Sequence, residues 1–400
     1  MSVKRKRPLE GYRVLDLATM VAAPFCGSIL SEFGAEVIKV EMPEKGDPLR
    51  MFGERSATGS SYNWLSEARN RKCVTLDLRV PQGLELGKRL IAESDIVLEN
   101  FRPGTLAKWG LDLKAMREVN RDVILVSVSA YGQDGPYKDR PGYARIAHGF
   151  SGLSHLTGEP DSAPAVPGAS ALADYIAGVY AAVGALLALI GRNRFGEGQH
   201  VDISLYEGIF RMLDDLAPAY AKSGEVRNRL GADSTSAVPH SNYRTADGKW
   251  VALACSNDSM FERLVKVMGR CDLLQRFAHV DTRLAYRSEV NGIVADWVAR
   301  FTQDELVALG EQGDVPLGRI NTIADIFEDE HVRARGNLLS LDVEIEGPVV
   351  VPGVFPYLRD TPGRVDSLGP RLGQHNACVY GELLGLGADE IAALQEQKVI

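Results

Sequence analysis

The chain has 400 residues, 45% hydrophobic and 24% charged, a composition typical of a globular protein with more than one domain. Its formal net charge of −8 argues against a general nucleic-acid-binding protein. The five cysteines are scattered and form no C-x-x-C pair, which indicates reduced thiols in a cytoplasmic protein and excludes a disulfide framework.

The first part of the chain alternates strand and helix patterns. Short apolar runs predict strands at 12–17, 35–41, 73–78, 95–99 and 123–128, and helical spacing appears between them at 23–33, 81–93 and 105–109. This alternation predicts a parallel sheet, in which ligands bind at the carboxyl ends of the strands. Neither a complete G-x-G-x-x-G nor a G-x-x-x-x-G-K-[ST] is present, so the sequence gives little support to a nicotinamide or P-loop nucleotide site.

The stretch 164–190, PAVPGASALADYIAGVYAAVGALLALI, places a lone acid, Asp174, at the start of a predicted apolar helix. Such an acid is either the N-cap residue of the helix or a functional carboxylate that the positive end of the helix stabilises. The apolar run at 179–190 is interpreted as too short and too rich in Ala and Gly to span a bilayer.

The remaining chain is predicted to build a second domain. A strand is expected within 196–207 and a helix at 209–221. A polar linker or lid follows at 224–240, then a hairpin at 241–255 that turns at Asp247-Gly248. Helices are predicted at 260–268, 272–277, 284–301 and 302–312. The last of these begins with a T-x-x-E capping box. A strand at 343–351 and a helix at 388–399 are predicted to follow. We therefore predict a large domain of 1–222 completed by 335–400, and a linker with a small α+β domain at 223–334.

The common catalytic and metal-binding patterns are not found in the sequence. There is no G-x-S-x-G and no H-E-x-x-H, and the seven histidines have no metal-ligand spacing, so no metal site is predicted. What remains is the Asp174 carboxylate, which can attack an activated acyl group and form an anhydride.

Nine segments, in order along nearly the whole chain, resemble the class III coenzyme A transferases: VLDLATMVAAPFCGSILSEFGAEVIKVE, GDPLR, NRKCVTLDL, DIVLENFRPGTLAKWGL, ILVSVSAYGQDGPY, ALADYIAG, GEGQHVDISLYE, GDVPLGRI and LRDTPGRVDSLGPRLGQH. The resemblance implies an α/β fold with a Rossmann-like parallel-sheet large domain, a smaller α+β domain and an interlocked homodimer. It also implies a coenzyme A thioester as substrate, with no permanently bound cofactor.

By the same resemblance, Asp174 is the nucleophile. The family's coenzyme A-binding positions fall on Thr19, Met20, Val21, Ala22, Asn100, Phe101, Thr105, Lys108 and Tyr131. The chain departs from the family in three places. Met42 replaces a basic residue, which leaves Lys39 or Lys45 to meet phosphate. Val21 replaces a glutamine of the formyl-CoA branch, and the glycine before ALAD sits one place early, at Gly168.

The implied activity is acyl-CoA:carboxylate CoA transfer. The segment PHSNYRTADGKWVALACSND is similar to the branch acting on small dicarboxylates, so we expect succinyl-CoA as donor and malate, mesaconate, citramalate or itaconate as acceptor. Candidates to bind the acceptor's second carboxylate are Arg50, Arg145, His148, Arg229 and His240. The alternatives are the racemase branch, whose G-H-D base stretch has Tyr143 here in place of histidine, and a non-catalytic CoA-binding protein. Neither nucleic acid nor a membrane is an expected partner.

Overall fold

The computed structural model describes residues 6–168 and 171–400. The chain forms two compact units, the first of Met1–Leu153, Pro167–Ala217 and Ala334–Ile400, the second of Ser154–Val166 and Pro218–Arg333. The domain boundaries given by the sequence, at 222/223 and 334/335, stay a prediction.

The described strands of the first unit form a six-stranded parallel sheet. The strands are β1 (Arg13–Asp16), β2 (Glu36–Glu41), β3 (Arg71–Thr75), β4 (Ile96–Glu99), β5 (Ile124–Ser129) and β6 (His200–Ser204). Their order is β3-β2-β1-β4-β5-β6, so the direction of winding reverses between β1 and β4. This is the strand order of a Rossmann-like sheet, which confirms the predicted fold class.

The helices up to residue 223 are α1 (Ala22–Glu32), α2 (Tyr62–Glu67), α3 (Pro81–Ala92), α4 (Thr105–Lys108), α5 (Leu113–Val119), α6 (Ala144–Phe150), α7 (Leu153–Leu156), α8 (Leu172–Phe195), α9 (Leu205–Arg211) and α10 (Leu216–Ser223), with a 3₁₀ turn at Pro48–Met51. Most of α7 and α10 belongs to the second unit. Helices α1 and α8 pack on one face of the six-stranded sheet and α3 packs on the other. Alternate strand residues face opposite sides. Val14 and Val126 pack with the alanines of α8 on one side, and Leu15 and Leu125 pack with α3 on the other.

Helix α8 corrects the sequence interpretation of the 179–190 run. The helix spans 24 residues, and of the described helices it is the one long and apolar enough to cross a membrane by length and composition. Its alanine face, including Ala177, Ala181 and Ala185, is buried in the core of the first unit. Val183 and Leu187 on its other face are exposed, the latter by 63%.

The second unit combines a small sheet with a helical layer. The sheet has three antiparallel strands, β7 (His240–Arg244), β8 (Trp250–Ala254) and β9 (Leu317–Arg319). Between β8 and β9 the chain forms α11 (Asp258–Val267), a 3₁₀ turn (Cys271–Leu273), α12 (Leu274–Phe277), α13 (Val280–Ala285), α14 (Arg287–Val298) and α15 (Gln303–Gln312). After β9 it forms α16 (Ile323–Glu328) and α17 (Glu330–Ala334). The predicted hairpin turn at Asp247-Gly248 is confirmed, with Gly248 at φ +77°. Thr302 and Glu305 form the predicted capping box of α15.

Several predicted elements differ from the observed ones. The helix at 209–221 is two helices, α9 and α10, because the backbone turns at Asp214 with φ +45°. The strand at 343–351 is a hairpin of β10 (Leu338–Val343) and β11 (Gly347–Pro352), turned at Gly347 with φ +72°. A π-helix (Ala377–Leu383) and α18 (Ala388–Glu396) follow this hairpin, and all of these elements belong to the first unit.

Candidate active site

The loops after β1 and β4 meet where the strand order reverses, the place at which open α/β sheets bind ligands. The Asn100 side chain joins them. Its Oδ1 accepts the Thr19 backbone N–H at 2.9 Å, and its Nδ2 donates to the Thr19 carbonyl oxygen at 2.7 Å. Asn100 therefore fixes both polar groups of one peptide residue in the β1–α1 loop.

A second side chain holds the next residue of that loop. Met20 has φ +65°, a left-handed conformation that is uncommon for residues other than glycine. Its backbone N–H donates to Asp47 Oδ1 at 3.0 Å. Asp47 is the N-cap of the 3₁₀ turn and also accepts the Leu49 N–H at 2.9 Å. Sequence reasoning missed this aspartate, although the GDPLR motif, with Asp before Pro, is a signal for a helical turn.

Beneath these loops lies a buried group of charges. Lys39 is fully buried, with Nζ 3.0 Å from Asp47 Oδ2 and 3.6 Å from Asp16 Oδ1, and Arg71 Nη1 lies 3.1 Å from Asp16 Oδ2. Lys39 also donates to the Ala18 carbonyl oxygen. Lys39 is therefore a structural cation beneath the loop rather than an exposed phosphate ligand.

A cavity of about 440 Å³ opens above this group, between the loops that follow β1, β2, β3 and β4. Thr19, Phe101 and Trp109 supply its surface, and the Phe101 and Trp109 rings are edge-to-face with centroids 5.0 Å apart. Lys45 and Arg79 also line the cavity, so they place cations beside an apolar wall. Trp109 and Arg79 were missed by sequence reasoning, although Trp109 closes the TLAKW helix that the sequence predicted.

The other predicted coenzyme A positions are divided among different places. Val21 is the N-cap of α1 and is 7% exposed, and Ala22 is the first residue of that helix. Thr105 and the exposed Lys108 lie on α4, whose C-terminal neighbour Trp109 reaches the cavity. Tyr131 lines a separate cavity of about 300 Å³ with other aromatic rings and the acidic residues Asp134, Asp202 and Glu207. An acidic wall is a poor match for coenzyme A phosphates.

Asp174 lies in the first turn of α8, two residues after Leu172, with Ala171 as the N-cap, so the N-cap interpretation was wrong. Near the other end of α8, Arg192 Nη2 donates to Asp95 Oδ1 at 2.8 Å, and Asp95 immediately precedes β4. The helix therefore runs antiparallel to the strands, and its N-terminus reaches the edge where the strands end. This edge also carries the Asn100 and Thr19 loops.

Burial raises the pKa of Asp174 to about 6, so the carboxyl group is ionised above about pH 6. Within residues 6–168 and 171–400, the carboxylate forms no ion pair with a lysine or arginine. The ion is stabilised by its place at the positive end of α8. A part-buried carboxylate without a countercharge is a candidate nucleophile.

Helix α1 approaches α8 immediately beyond Asp174. A Cβ on Gly178, one turn after Asp174 on the same face, would lie 2.6 Å from the Ala22 carbonyl oxygen and 2.9 Å from Phe25 Cβ. The Phe25 and Tyr175 rings meet edge-to-face at 4.9 Å. Glycine at 178 thus allows the first turn of α1 to sit directly against α8, and brings the two helix N-termini to the same end.

The candidates for a second carboxylate have distinct environments. Arg50 donates to both oxygens of Glu41, at 2.6 and 2.7 Å, and its guanidinium lies 3.8 Å from the Trp64 ring centroid. His148 is buried and bonded to the backbone of α8, whereas Arg145 is exposed on the same helix α6. The remaining two, Arg229 and His240, belong to the second unit. Arg50 and His148 therefore have structural partners already.

Sequence and structure comparisons agree on the family. The family model described as CoA-transferase family III matches residues 9–376. The chain belongs to this family. It is 49% identical over 396 residues to the succinyl-CoA–L-malate CoA-transferase alpha subunit of Chloroflexus aurantiacus, covering 98% of this chain and 92% of that one. It is 41% identical over 401 residues to that organism's succinyl-CoA–D-citramalate CoA-transferase, covering 100% of both.

The solved structures agree with the fold of this class III CoA-transferase. A CaiB/BaiF family protein from Brucella suis is 35% identical, with a TM-score of 0.84 over 95% of this chain and 100% of that one. The predictions of an α/β fold, of the family and of a CoA-transferase that uses a CoA thioester are thereby confirmed. The site residues stay predictions. In the described part of the chain, no group of three or more His, Cys, Asp or Glu residues could hold a metal ion.

Proposed function

We propose that this CoA-transferase moves CoA from succinyl-CoA to a four- or five-carbon dicarboxylate through covalent intermediates on Asp174. The carboxylate oxygen attacks the thioester carbonyl, the C–S bond breaks, and a succinyl-aspartyl anhydride and CoA thiolate form. The thiolate attacks the aspartyl carbon, succinate leaves, and Asp174 becomes an aspartyl-CoA thioester. The acceptor carboxylate then repeats these two steps in reverse order, so no net proton, metal or redox partner is required.

The observation that carries the proposal is the uncompensated Asp174 carboxylate at the ligand-binding edge of the sheet. A cation paired with this group would lower both its pKa and its nucleophilicity, whereas a pKa of about 6 leaves a reactive anion at neutral pH. The first turn of α1, which has no side-chain cap, lies against α8 just beyond Asp174. Its backbone N–H groups are suited to stabilise the oxyanion of each tetrahedral intermediate.

Coenzyme A would occupy the 440 Å³ cavity. Phe101 and Trp109 offer an apolar face for the adenine or the pantetheine arm, and Lys45 and Arg79 offer positive charge for phosphate. Arg79 is held beside Asp77, which accepts from its Nε at 2.8 Å and from its Nη2 at 2.7 Å, so a phosphate would compete with that carboxylate. Lys45 is therefore the better-placed phosphate ligand.

Trapping the covalent intermediate tests the mechanism. The purified protein is incubated with succinyl-CoA and then with hydroxylamine, and the peptides are analysed by mass spectrometry. We expect a hydroxamate on Asp174, and none when the matched first-turn acid Asp389 of α18 is analysed in the same digest. Full turnover without modification of Asp174 would overturn the covalent route while leaving the family assignment intact.

A competition experiment tests the acceptor class. The names of the malate and citramalate relatives support a small hydroxy-dicarboxylate, and a second carboxylate requires a cation partner when buried. With succinyl-CoA as donor, we expect L-malate or citramalate to have a higher kcat/KM than butyrate. A preference for butyrate would reject the dicarboxylate proposal.

We also propose that the chain forms a homodimer. Val179, Val183, Leu187 and Ile190 leave an apolar face of α8 exposed, which is the kind of surface that subunit association buries. The malate relative is named as an alpha subunit, so an unlike partner is the competing outcome. Light scattering of the purified, active chain should give twice the mass of one chain, and an inactive monomer would favour the unlike partner.

A further inference from the structure

Helix α8 receives its cap from another part of the chain. The N-cap residue Ala171 makes no side-chain hydrogen bond to the helix. Instead, the Ala173 backbone N–H, in the first turn, donates to Nε2 of His148 at 3.1 Å. His148 lies on α6 and is 1% exposed, and Ala173 is fully buried. The amide bonded by His148 belongs to the residue directly before Asp174.

We propose that His148 is a positioning residue for Asp174, an inference that rests on the proposed nucleophilic role of that aspartate. By accepting the Ala173 N–H, the imidazole satisfies one of the first-turn amides that an α-helix leaves unpaired. The first turn of α8 is then fixed to α6, and the carboxylate of the next residue is held in one place. Because a shift of about 1 Å in a reacting group can cost about 10²-fold in rate, this anchor matters more for turnover than for substrate binding.

The hydrogen bond fixes the chemical state of the ring. Nε2 accepts, so it carries no proton, and the ring is the neutral tautomer with its proton on Nδ1. Burial and, to a smaller extent, the nearby Arg145 cation lower the pKa of His148, which keeps this tautomer at neutral pH. A neutral cap has a specific advantage here. An aspartate cap would add a second negative charge beside Asp174 and raise the pKa of the nucleophile further.

The second ring nitrogen shows that this bond is the polar anchor of the imidazole. Nδ1 of His148 is buried and has no hydrogen-bond partner among the described residues. Among the described residues, the hydrogen bond from the Ala173 N–H is therefore the one polar contact of the His148 ring.

The test compares two substitutions of nearly equal size. His148→Leu removes the acceptor and keeps an apolar volume, whereas His148→Gln can place its Oε1 where Nε2 lies. We expect His148→Leu to lower kcat by about 10- to 100-fold with little change in the KM for succinyl-CoA, and to lower the rate of hydroxylamine trapping at Asp174 equally. His148→Gln should restore most of both rates.

Thr302→Ala is the matched control, because it removes the N-cap of α15 in the second unit and should reduce the melting temperature without changing kcat. The folded fraction of each variant is measured by circular dichroism, and kcat is expressed per folded molecule. If His148→Leu then has the same kcat as the parent, His148 has only a structural role and the proposal is overturned. Equal losses for Leu and Gln overturn it as well. Parental activity of Asp174→Asn would instead reject the underlying nucleophile, so the two failures are distinguishable.

Discussion

Acidic side chains near the same sheet edge differ in whether a lysine or arginine pairs with them. Asp16 and Asp47 are buried and face Lys39 and Arg71 at ion-pair distances of 3.0 to 3.6 Å. Asp174 is part-buried and has no cation partner among the described residues; its pKa is raised by burial. The paired acids hold the β1–α1 loop, since Asp47 accepts the Met20 N–H. The unpaired acid is the one proposed to react.

The presence or absence of a cation partner distinguishes Asp16 and Asp47 from the carboxylate that we propose as the nucleophile. Asp16 is the last residue of β1, Asp47 precedes the 3₁₀ turn and Asp174 lies in the first turn of α8, and all three lie within motifs that resemble the family. A paired buried carboxylate is expensive to disturb, because loss of its partner leaves an uncompensated charge. An unpaired one lowers the stability of the folded state but retains its nucleophilicity. Substitutions of Asp174 and of Lys39, each with a control, test whether the two groups behave in these opposite ways.

The largest expected effect is on catalysis. Asp174→Asn keeps the shape of the side chain and removes the attacking anion, so kcat for CoA transfer should fall by at least about 10³-fold. Asp389→Asn, the same change in the first turn of α18, should leave kcat unchanged. Steady-state transfer assays on both purified variants provide the measurement, and comparable activities would refute the assigned difference between the two acids.

The next effect is on stability and concerns the paired group. Lys39→Met removes the buried cation between Asp16 and Asp47, so the free energy of unfolding should fall by about 3–5 kcal/mol. The control is Lys72→Met on the neighbouring strand β3, where the ammonium pairs with Glu36 at the surface and its loss should cost less than about 1 kcal/mol. Urea denaturation at pH 7.5 gives both values. Equal destabilisation would show that burial of the network is unimportant.

Removing the charge of Asp174 should increase the free energy of unfolding, whereas removing the charge of Lys39 should decrease it. The folded-state pKa of Asp174, about 6, lies above the ordinary aspartate pKa of 3.8, so the folded protein binds the proton more tightly than the unfolded chain does. The stabilisation that comes from protonated Asp174 is therefore fully present below about pH 4 and is lost as the pH rises through about 6. Asp174→Asn should be more stable than the parent by about 1–2 kcal/mol at pH 7.5, after allowance for partial exposure, and by nothing near pH 4. Urea denaturation at both pH values measures this, and a constant difference would contradict the raised pKa.

The sheet could be predicted from the sequence because its signals are local. The apolar runs of β1, β2, β4 and β5 and the helical spacing of α1 and α3 were located within one or two residues. Short helices such as α2, α5 and α6 were missed, since their stability comes from tertiary packing rather than from periodicity. The break between α9 and α10 depends on one left-handed residue, Asp214, which no pattern indicates.

The candidate site was less predictable because its bonds join distant parts of the chain. Asn100 and Phe101 were named from the resemblance, but the bonds from Asn100 to Thr19 span 81 positions. The bond from Ala173 to His148 spans 25 positions, and the sequence had suggested that histidine only as one of five candidates to bind the acceptor's second carboxylate. Hydrogen bonds of this kind form only when the fold brings distant residues together, and no repeating pattern in the sequence indicates them.

The smallest expected effect tests whether the loop held by the paired acids also serves coenzyme A. Asn100→Ala removes both hydrogen bonds to Thr19, which should loosen the wall of the 440 Å³ cavity without touching Asp174. Two part-buried hydrogen bonds contribute about 1 kcal/mol or slightly more to loop order, so KM should rise about fivefold for every acyl-CoA while kcat changes little. Asn120→Ala, which removes amide bonds to Ile91 and Ser94 away from the cavity, is the control. Initial rates with succinyl-CoA and a second acyl-CoA measure the effect. A rise in the KM of the acceptor acid alone would place Asn100 on the acceptor side and separate the loop from coenzyme A binding.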